Sequence, residues 1–248
     1  MSGHSKWAQI KHKKAKVDAK KGRVFARLIR EIQVAARLGG GDPDLNPRLR
    51  LAIDKARAAN MPMENIERAI KKATGGGEGA NLEEVIYEGY GPGGVAFMVV
   101  TLTDNKNRTT GEVRHVLTKH GGNLGKSGIV AWQFEEKGVI YVDREGADED
   151  SAFTVAVDAG AKDFNALSDS FEITTEVGDF GAVRDALERA GLVVSSADIT
   201  HVPKSTVRVE GKDAERVLKL ADALEDLDDV QGVFANFDIP EEILETLA

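Results

Sequence analysis

The sequence predicts an α+β multidomain protein, with an N-terminal three-helix domain followed by two ferredoxin-like α+β domains, one inserted in the other. Three observations carry this prediction. Up to about residue 78, apolar residues recur at three- and four-residue spacing between glycine and proline breaks. Past Asn81, β-branched and aromatic runs alternate with helical patterns. A complete β-α-β-β-α-β order, about 65 residues long, then interrupts a second order of the same kind. The expected boundaries are 1–78 for a basic helical domain, 79–136 with 204–248 for a discontinuous α+β domain, and 137–203 for the inserted one.

In the first domain Val17, Val24, Phe25, Leu28, Ile29, Ile32 and Ala36 share one helical face. That helix should stop near Leu38, where Gly39, Gly40 and Gly41 supply a left-handed C-cap and Pro43 cannot continue it. Asn46 before Pro47 reads as an N-cap and first helical residue of a second helix, which runs to about Ala59 with Leu49, Ile53 and Ala56 on its apolar side. Pro62 opens a third with Met63, Ile66 and Ile70 on its buried face, and Gly75, Gly76, Gly77 and Gly79 end it in a linker.

Val85 to Tyr90 and Val95 to Leu102 read as a hairpin turned by Gly91-Pro92-Gly93-Gly94. Asp104 or Asn105 caps a helix carrying Val113, Val116 and Leu117. Gly121-Gly122 breaks it, and Ile129 to Phe134 reads as a further strand. The inserted unit follows as strand 139–142, helix 148–159, strands 163–167 and 171–175, helix 179–190 and strand 197–202. A short strand at Thr206 to Val209, a helix with Val217, Leu220 and Leu224, and a strand at Val230 to Asn236 complete the interrupted unit.

Composition excludes several function classes. The chain has 248 residues, 42% of them hydrophobic, with 33 Lys+Arg against 41 Asp+Glu and no Cys. It is too apolar and too mixed in charge for a disordered chain, and without Cys it can be neither a zinc ribbon, a disulfide scaffold nor a cysteine-nucleophile enzyme. No stretch approaches the ~20 apolar residues of a membrane span, and the Lys-rich start lacks the apolar core of a signal peptide. A cytoplasmic protein without a membrane partner is expected.

The formal charge of −8 conceals a division. Residues 1–80 hold 18 Lys/Arg and 8 Asp/Glu, a net +10, which leaves −18 for the remainder. Within the first 30 residues 10 are basic and 1 is acidic. Such a block repels itself unless an anion neutralises it, and a polyanion is the natural partner.

Two apparent phosphate motifs do not meet their structural requirements. Gly89-Tyr90-Gly91-Pro92-Gly93-Gly94 has the G-x-G-x-x-G spacing but leads into a strand rather than a helix, which suits a hairpin turn instead. The stretch from Gly121 to Ser127 resembles a P-loop, yet His120 occupies the place of its first glycine and a helix precedes it. Lys126 and the backbone amides there remain available to phosphate. His4, His12, His115, His120 and His201 make no metal set, no Ser-His-Asp combination sits in a nucleophile elbow, and neither cofactor nor catalytic residue is indicated.

The basic arm gives the strongest signal. Lys6, Lys11, Lys13, Lys14, Lys16, Lys20, Lys21 and Arg23 are mobile cations for phosphate, and Trp7 offers an aromatic plane to a base, although it fits the helical core equally well. His12 lies in the same run, and Arg27 and Arg30 extend the set along the first helix off its apolar stripe. A second patch spans residues 104–128, at a local +3 against −21 for the rest of 81–248. Its Arg108, Arg114, Lys119 and Lys126 are a candidate second contact, with internal salt bridges as the alternative. The acidic run Asp222, Glu225, Asp226, Asp228 and Asp229 reads as a solvated helix end.

Gly3-His4-Ser5-Lys6-Trp7, Lys11-His12-Lys13, Asp18-Ala19-Lys20, Gly39-Gly40-Gly41-Asp42-Pro43, Asn46-Pro47-Arg48-Leu49-Arg50 and Asn60-Met61-Pro62 form an ordered series of short motifs. Tyr87-Glu88-Gly89-Tyr90-Gly91-Pro92-Gly93-Gly94, Asp104-Asn105 with Asn107-Arg108-Thr109, and Gly121-Gly122-Asn123-Leu124-Gly125 continue it. In this series the chain resembles the YebC family, which includes the mitochondrial translational activator of cytochrome c oxidase. Between about Gly146 and Lys204 the match rests on position and topology. The resemblance implies a helical domain with two α+β domains and a non-enzymatic DNA-binding transcriptional regulator. Other members look like ribosome-associated RNA-binding translation factors that assist elongation at sequences such as proline runs, so DNA, ribosomal or transfer RNA and the ribosome are the partners to weigh. No helix shows an obvious base-reading set of Asn, Gln and Arg, which favours recognition by shape and charge.

Overall fold

The computed structural model describes residues 21–75, 82–240 and 243. Val17 and the linker glycines Gly76, Gly77 and Gly79 lie outside them. The first three elements are α1 (Lys21–Gly39), α2 (Pro47–Ala58) and α3 (Met63–Thr74). Their shared core comprises Ile32, Ala35, Ala36, Leu49, Ala52, Ile53, Ala56, Met61, Ile66 and Ala69.

The buried Asn46 joins α1 to α2. Its Oδ1 accepts from the Leu49 amide at 3.1 Å, while its Nδ2 donates to the Ala35 and Gly40 carbonyls, each at 2.8 Å. One side chain thereby satisfies an unpaired donor at the start of α2 and carbonyls at the end of α1. Met63 differs from the sequence expectation, being 46% exposed. It is the first residue of α3, and the buried methionine is Met61 in the preceding turn, whose amide bonds to the Ala56 carbonyl.

The remaining elements run β1 (Glu83–Tyr90), β2 (Ala96–Thr103), α4 (Lys106–Lys119), β3 (Asn123–Leu124), β4 (Phe134–Asp143), α5 (Glu149–Asp158), β5 (Asp163–Ala166), β6 (Ser170–Thr175), α6 (Phe180–Arg189) and β7 (Val194–Pro203). They end with β8 (Val207–Arg208), α7 (Gly211–Glu225), β9 (Val230–Ala235) and β10 (Phe237–Asp238). The chain divides into two compact units: Phe134–Lys204 forms the second, and the residues up to Gln133 and from Ser205 form the first.

In the first unit β1 and β2 pair as an antiparallel hairpin, Glu83 opposite Thr103 and Tyr90 opposite Ala96. The tight turn is possible because Gly93 and Gly94 take φ of 69° and 76°. Asn105 is the cap of α4, accepting from the Arg108 amide at 3.1 Å. The antiparallel sheet has the order β3-β1-β2-β9, and Tyr87, Phe97, Val99 and Val233 pack with Val113 and Leu117 of α4 and Val217, Leu220 and Leu224 of α7.

Two strand expectations need correction here. Ile129 to Phe134 is not a strand of this sheet: a loop and a short 3-10 turn at Ala131–Gln133 occupy it, and the next strand begins at Phe134. The edge beside β1 is taken instead by β3, Leu124 opposite Gly89. The strand expected at Thr206 to Val209 shortens to β8, which pairs in parallel with β10 outside the main sheet. In a ferredoxin-like order that strand would lie beside β2; β1, from the N-terminal side, holds the place.

The second unit has the expected β-α-β-β-α-β order, with an antiparallel sheet arranged β5-β6-β4-β7. Its first strand is longer than the predicted 139–142 because β4 is continuous from Phe134 and pairs along its length with β7, Phe134 opposite Pro203 and Ile140 opposite Ala197. Ile140, Phe171, Ile173, Val183 and Leu187 are buried in this unit.

Candidate nucleic-acid interface

Lys6, Trp7, Lys11, His12, Lys13, Lys14, Lys16 and Lys20 lie outside the described residues; Lys21 opens α1. The arginines that follow are held within the chain. Arg23 Nη1 meets Asp226 Oδ1 at 2.9 Å, Arg27 donates to the carbonyl of Glu225, the last residue of α7, and Arg30 donates to the Asp228 carbonyl and pairs with Asp229 Oδ1 at 3.0 Å. Guanidinium groups at one, two and three turns of α1 thus meet carboxylates and carbonyls at and just past the C-terminal end of α7, where the helix dipole favours cations. Burial pulls the Arg27 guanidinium below its ordinary pKa, with Glu225 and Asp226 opposing.

The acidic run is therefore not a plain solvated helix end. Asp229 is 2% exposed. Its Oδ2 accepts from Arg108 Nη2 and from Thr109 Oγ1, both at 2.7 Å, and its carbonyl accepts from the Leu102 amide at 2.9 Å. Burial opposes ionisation of Asp229, but the hydrogen bonds from Arg108 and Thr109 and the nearby charges of Arg108 and Arg30 outweigh it and hold the carboxyl below the usual range. Thr109 Oγ1 also meets Thr103 Oγ1 at 2.8 Å, so the carboxylate ties α1 to α4 and Thr109 carries the link on to β2.

Of the second candidate set, Arg108 is thus engaged, bridging Asp229 and, at 2.9 Å, Asp104. Arg114, Lys119 and Lys126 are exposed and make no ion pair among the described residues. Beside Lys119, the pKa of His120 is lowered by burial first and then by the charges of Lys119 and Lys219, a local concentration of positive charge.

The two glycine-rich motifs turn out to be packing partners of each other. A Cβ at Gly89 would stand 2.4 Å from the Asn123 carbonyl oxygen, and one at Gly122 would stand 2.6 Å from that of Tyr90, so the two backbones approach as closely as glycine permits. Between them Glu88, 4% exposed, accepts backbone N–H groups from Gly128, Val130 and Ala131 at 2.6, 2.8 and 2.7 Å. Burial alone would raise the Glu88 pKa, and these three bonds bring it below the usual value. They also consume the donors that a strand at 129–134 would have needed.

The loop so fixed carries a residue the sequence reading missed. Trp132 is 68% exposed, with its indole Nε1 donating to the Ile129 carbonyl at 3.1 Å. Tyr90 donates its hydroxyl to the same carbonyl at 3.4 Å. The run Ile129-Val130-Ala131-Trp132 looks like a strand by apolar content; Ser127-Gly128 just before it was the turn signal that could have revealed an exposed aromatic. Among the described residues no group of three His, Asp or Glu is placed to hold a metal ion, and no helix is long and apolar enough to cross a membrane.

A basic N-terminal sequence, a three-helix domain and an interrupted α+β unit that carries a ferredoxin-like insertion define a class of multidomain proteins whose members are named probable transcriptional regulators. The chain belongs to the TACO1/YebC family: residues 5–76 match the family's N-terminal domain and residues 82–237 its second and third domains. A "probable transcriptional regulatory protein" of Pelotomaculum thermopropionicum is 58% identical over 96% of this chain and 99% of its own. One of the same name from Dictyoglomus turgidum is 57% identical over the full length of both. The crystal structure of a conserved hypothetical protein from Aquifex aeolicus superimposes with a TM-score of 0.85 at 55% identity, covering 93% of this chain and 95% of that one.

Proposed function

We propose that this chain is a non-enzymatic, nucleic-acid-binding regulator of gene expression, acting at transcription as the name of its relatives states. One observation carries the reading: the first 30 residues hold 10 basic side chains and 1 acidic one in a chain whose formal charge is −8. Arg23, Arg27 and Arg30 have internal partners, so in this reading Lys6, Lys11, Lys13, Lys14, Lys16, Lys20 and Lys21 are the primary phosphate contacts, with Trp7 and His12 among them. Arg114, Lys119 and Lys126 supply the second contact, and Arg108 braces it through Asp229 and Asp104. The working division is 1–78 for the arm and its helices, 79–136 with 204–248 for the second contact, and 137–203 for the insertion.

Replacing Lys11, Lys13 and Lys14 together by Ala weakens binding to nucleic acid strongly and leaves folding intact. For the wild type, log K falls with log salt at roughly −0.9 per phosphate contact on duplex DNA and about −0.7 on single strands. Unchanged affinity in the triple variant, or a flat salt response, overturns the arm as the contact. A ribosome-associated RNA-binding role is the second reading, favoured by the exposed Trp132, since unstacked bases are a feature of RNA loops. Crosslinking in growing cells followed by sequencing separates the two: promoter DNA supports transcription, ribosomal and transfer RNA support translation.

A further inference from the structure

We propose that the loop of residues 125–132 is a stacking site for an unpaired base of single-stranded RNA, with Trp132 as the platform and Lys126 as the cation for an adjoining phosphate. The inference rests on the nucleic-acid reading above and names the form of strand.

Trp132 has the attributes of a platform. It is the most exposed aromatic side chain among the described residues, yet it is anchored. Its one polar atom is spent on the Ile129 carbonyl, which also receives the Tyr90 hydroxyl, so what remains toward solvent is apolar ring. The loop beneath is pinned from inside by the three amides on Glu88 and by the Gly125 amide on the Glu88 carbonyl at 2.7 Å. A ring already held in place loses little side-chain freedom on binding, and any base offers it a π-face.

The surroundings indicate what covers it. Lys126 is exposed without an ion pair among the described residues, and its carbonyl accepts from the Ile129 amide at 3.2 Å, which places its backbone one turn from the carbonyl that anchors the indole. The segment 104–128 is the positive island of an otherwise acidic region. An aromatic face and an unneutralised cation carried by one short loop, in that setting, match a base and its phosphate better than an apolar protein surface. Duplex DNA keeps its bases stacked and must be opened to offer one, whereas RNA loops present them unstacked.

The test uses the full chain and a fluorescent oligouridylate of about 12 nucleotides, within the span of single-strand sites. Trp132→Ala weakens binding about 5- to 150-fold, the loss of one stacked base, and Trp132→Phe weakens it less. Lys126→Ala lowers both affinity and the salt slope. A 2-aminopurine base placed in the oligonucleotide is quenched by the wild type and not by Trp132→Ala. Circular dichroism confirms that the variants fold, as expected where a single exposed hydrogen bond is lost. Wild-type binding left unchanged by Trp132→Ala overturns this inference alone. Equal or tighter binding of the matching deoxyoligonucleotide overturns the assignment to RNA. Loss of self-association in Trp132→Ala with RNA affinity intact assigns the face to a second copy of the chain instead. A wild type that binds no oligonucleotide, single-stranded or duplex, overturns the functional reading itself.

Discussion

Replacing Asp229 by Ala removes the carboxylate on which α1 and α4 converge and leaves its backbone bond to β2 in place. The carboxylate is buried and receives Arg108 at 2.7 Å, Thr109 at 2.7 Å and Arg30 at 3.0 Å. Its loss does not strand all three partners. Thr109 keeps Thr103 and the Asn105 carbonyl, and both arginine side chains have enough exposed surface to take up water. The cost therefore lies below the ~3–5 kcal/mol of a fully buried pair broken on one side and above the ~0–1 kcal/mol of a surface pair. About 2–3 kcal/mol is expected, or roughly 5–10 °C in Tm for a unit of this size. Urea unfolding followed by circular dichroism, with the transitions of the two units fitted separately, measures this loss. Asp226→Ala is the control, because its pair with Arg23 is half-exposed on both sides and its loss should cost less than about 1 kcal/mol. Equal effects from the two variants, or less than about 0.5 kcal/mol from Asp229→Ala, would refute the argument that burial makes this carboxylate a structural hub.

Acid should destabilise the first unit in a defined direction. Asp229 and Glu88 both have lowered pKa values in the folded chain, so the stability they contribute is present above the ordinary carboxylate pKa of about 4 and is lost as pH falls through the lowered values. Glu88→Gln should flatten that acid limb and cost about 1–2 kcal/mol at pH 7, read from urea midpoints between neutral and acid pH. Asn46→Ala forfeits the cap of α2 and two bonds to α1, about 2 kcal/mol in the same assay; a loss under about 0.5 kcal/mol would mean that water replaces it. Gly122→Ala places a methyl group 2.6 Å from the Tyr90 carbonyl oxygen and should cost about 2 kcal/mol or more, whereas Gly111→Ala, which meets nothing within 4 Å in the middle of α4, should be neutral or slightly stabilising.

Local signals carried most of the fold. Pro47 after Asn46, Gly91-Pro92-Gly93-Gly94 between apolar runs and Asn105 before Lys106 each act within a few residues, and each marks the element boundary that the structure has. The failures are at places decided by distant partners. Nothing near Ile129 announces that Glu88, some 40 residues earlier, takes the amides a strand would use. The parallel pairing of Val207 with Phe237 likewise depends on β1 having filled the position beside β2. At the candidate site, the sequence gives the charge of α1 but not its direction. Arg23, Arg27 and Arg30 lie off the apolar stripe as expected, and the same spacing that would face a phosphate backbone faces the end of α7. Trp132 was hidden for the opposite reason, since an apolar residue in an apolar run is ordinarily read as core.

The insertion has a consequence for how the chain reaches this fold. Because β4 and β7 pair with Phe134 opposite Pro203, the entry and exit of the inserted unit lie about one strand spacing apart. Val99 must find Val233 across the whole of that insertion, a closure whose entropic cost grows with the length of flexible chain between them. The second unit draws its sheet from consecutive residues, all of them synthesised before α7 and β9, so it can order first and shorten the slack to its two flanks. Weakening the β4–β7 pairing should therefore slow folding of the first unit, to which neither strand belongs.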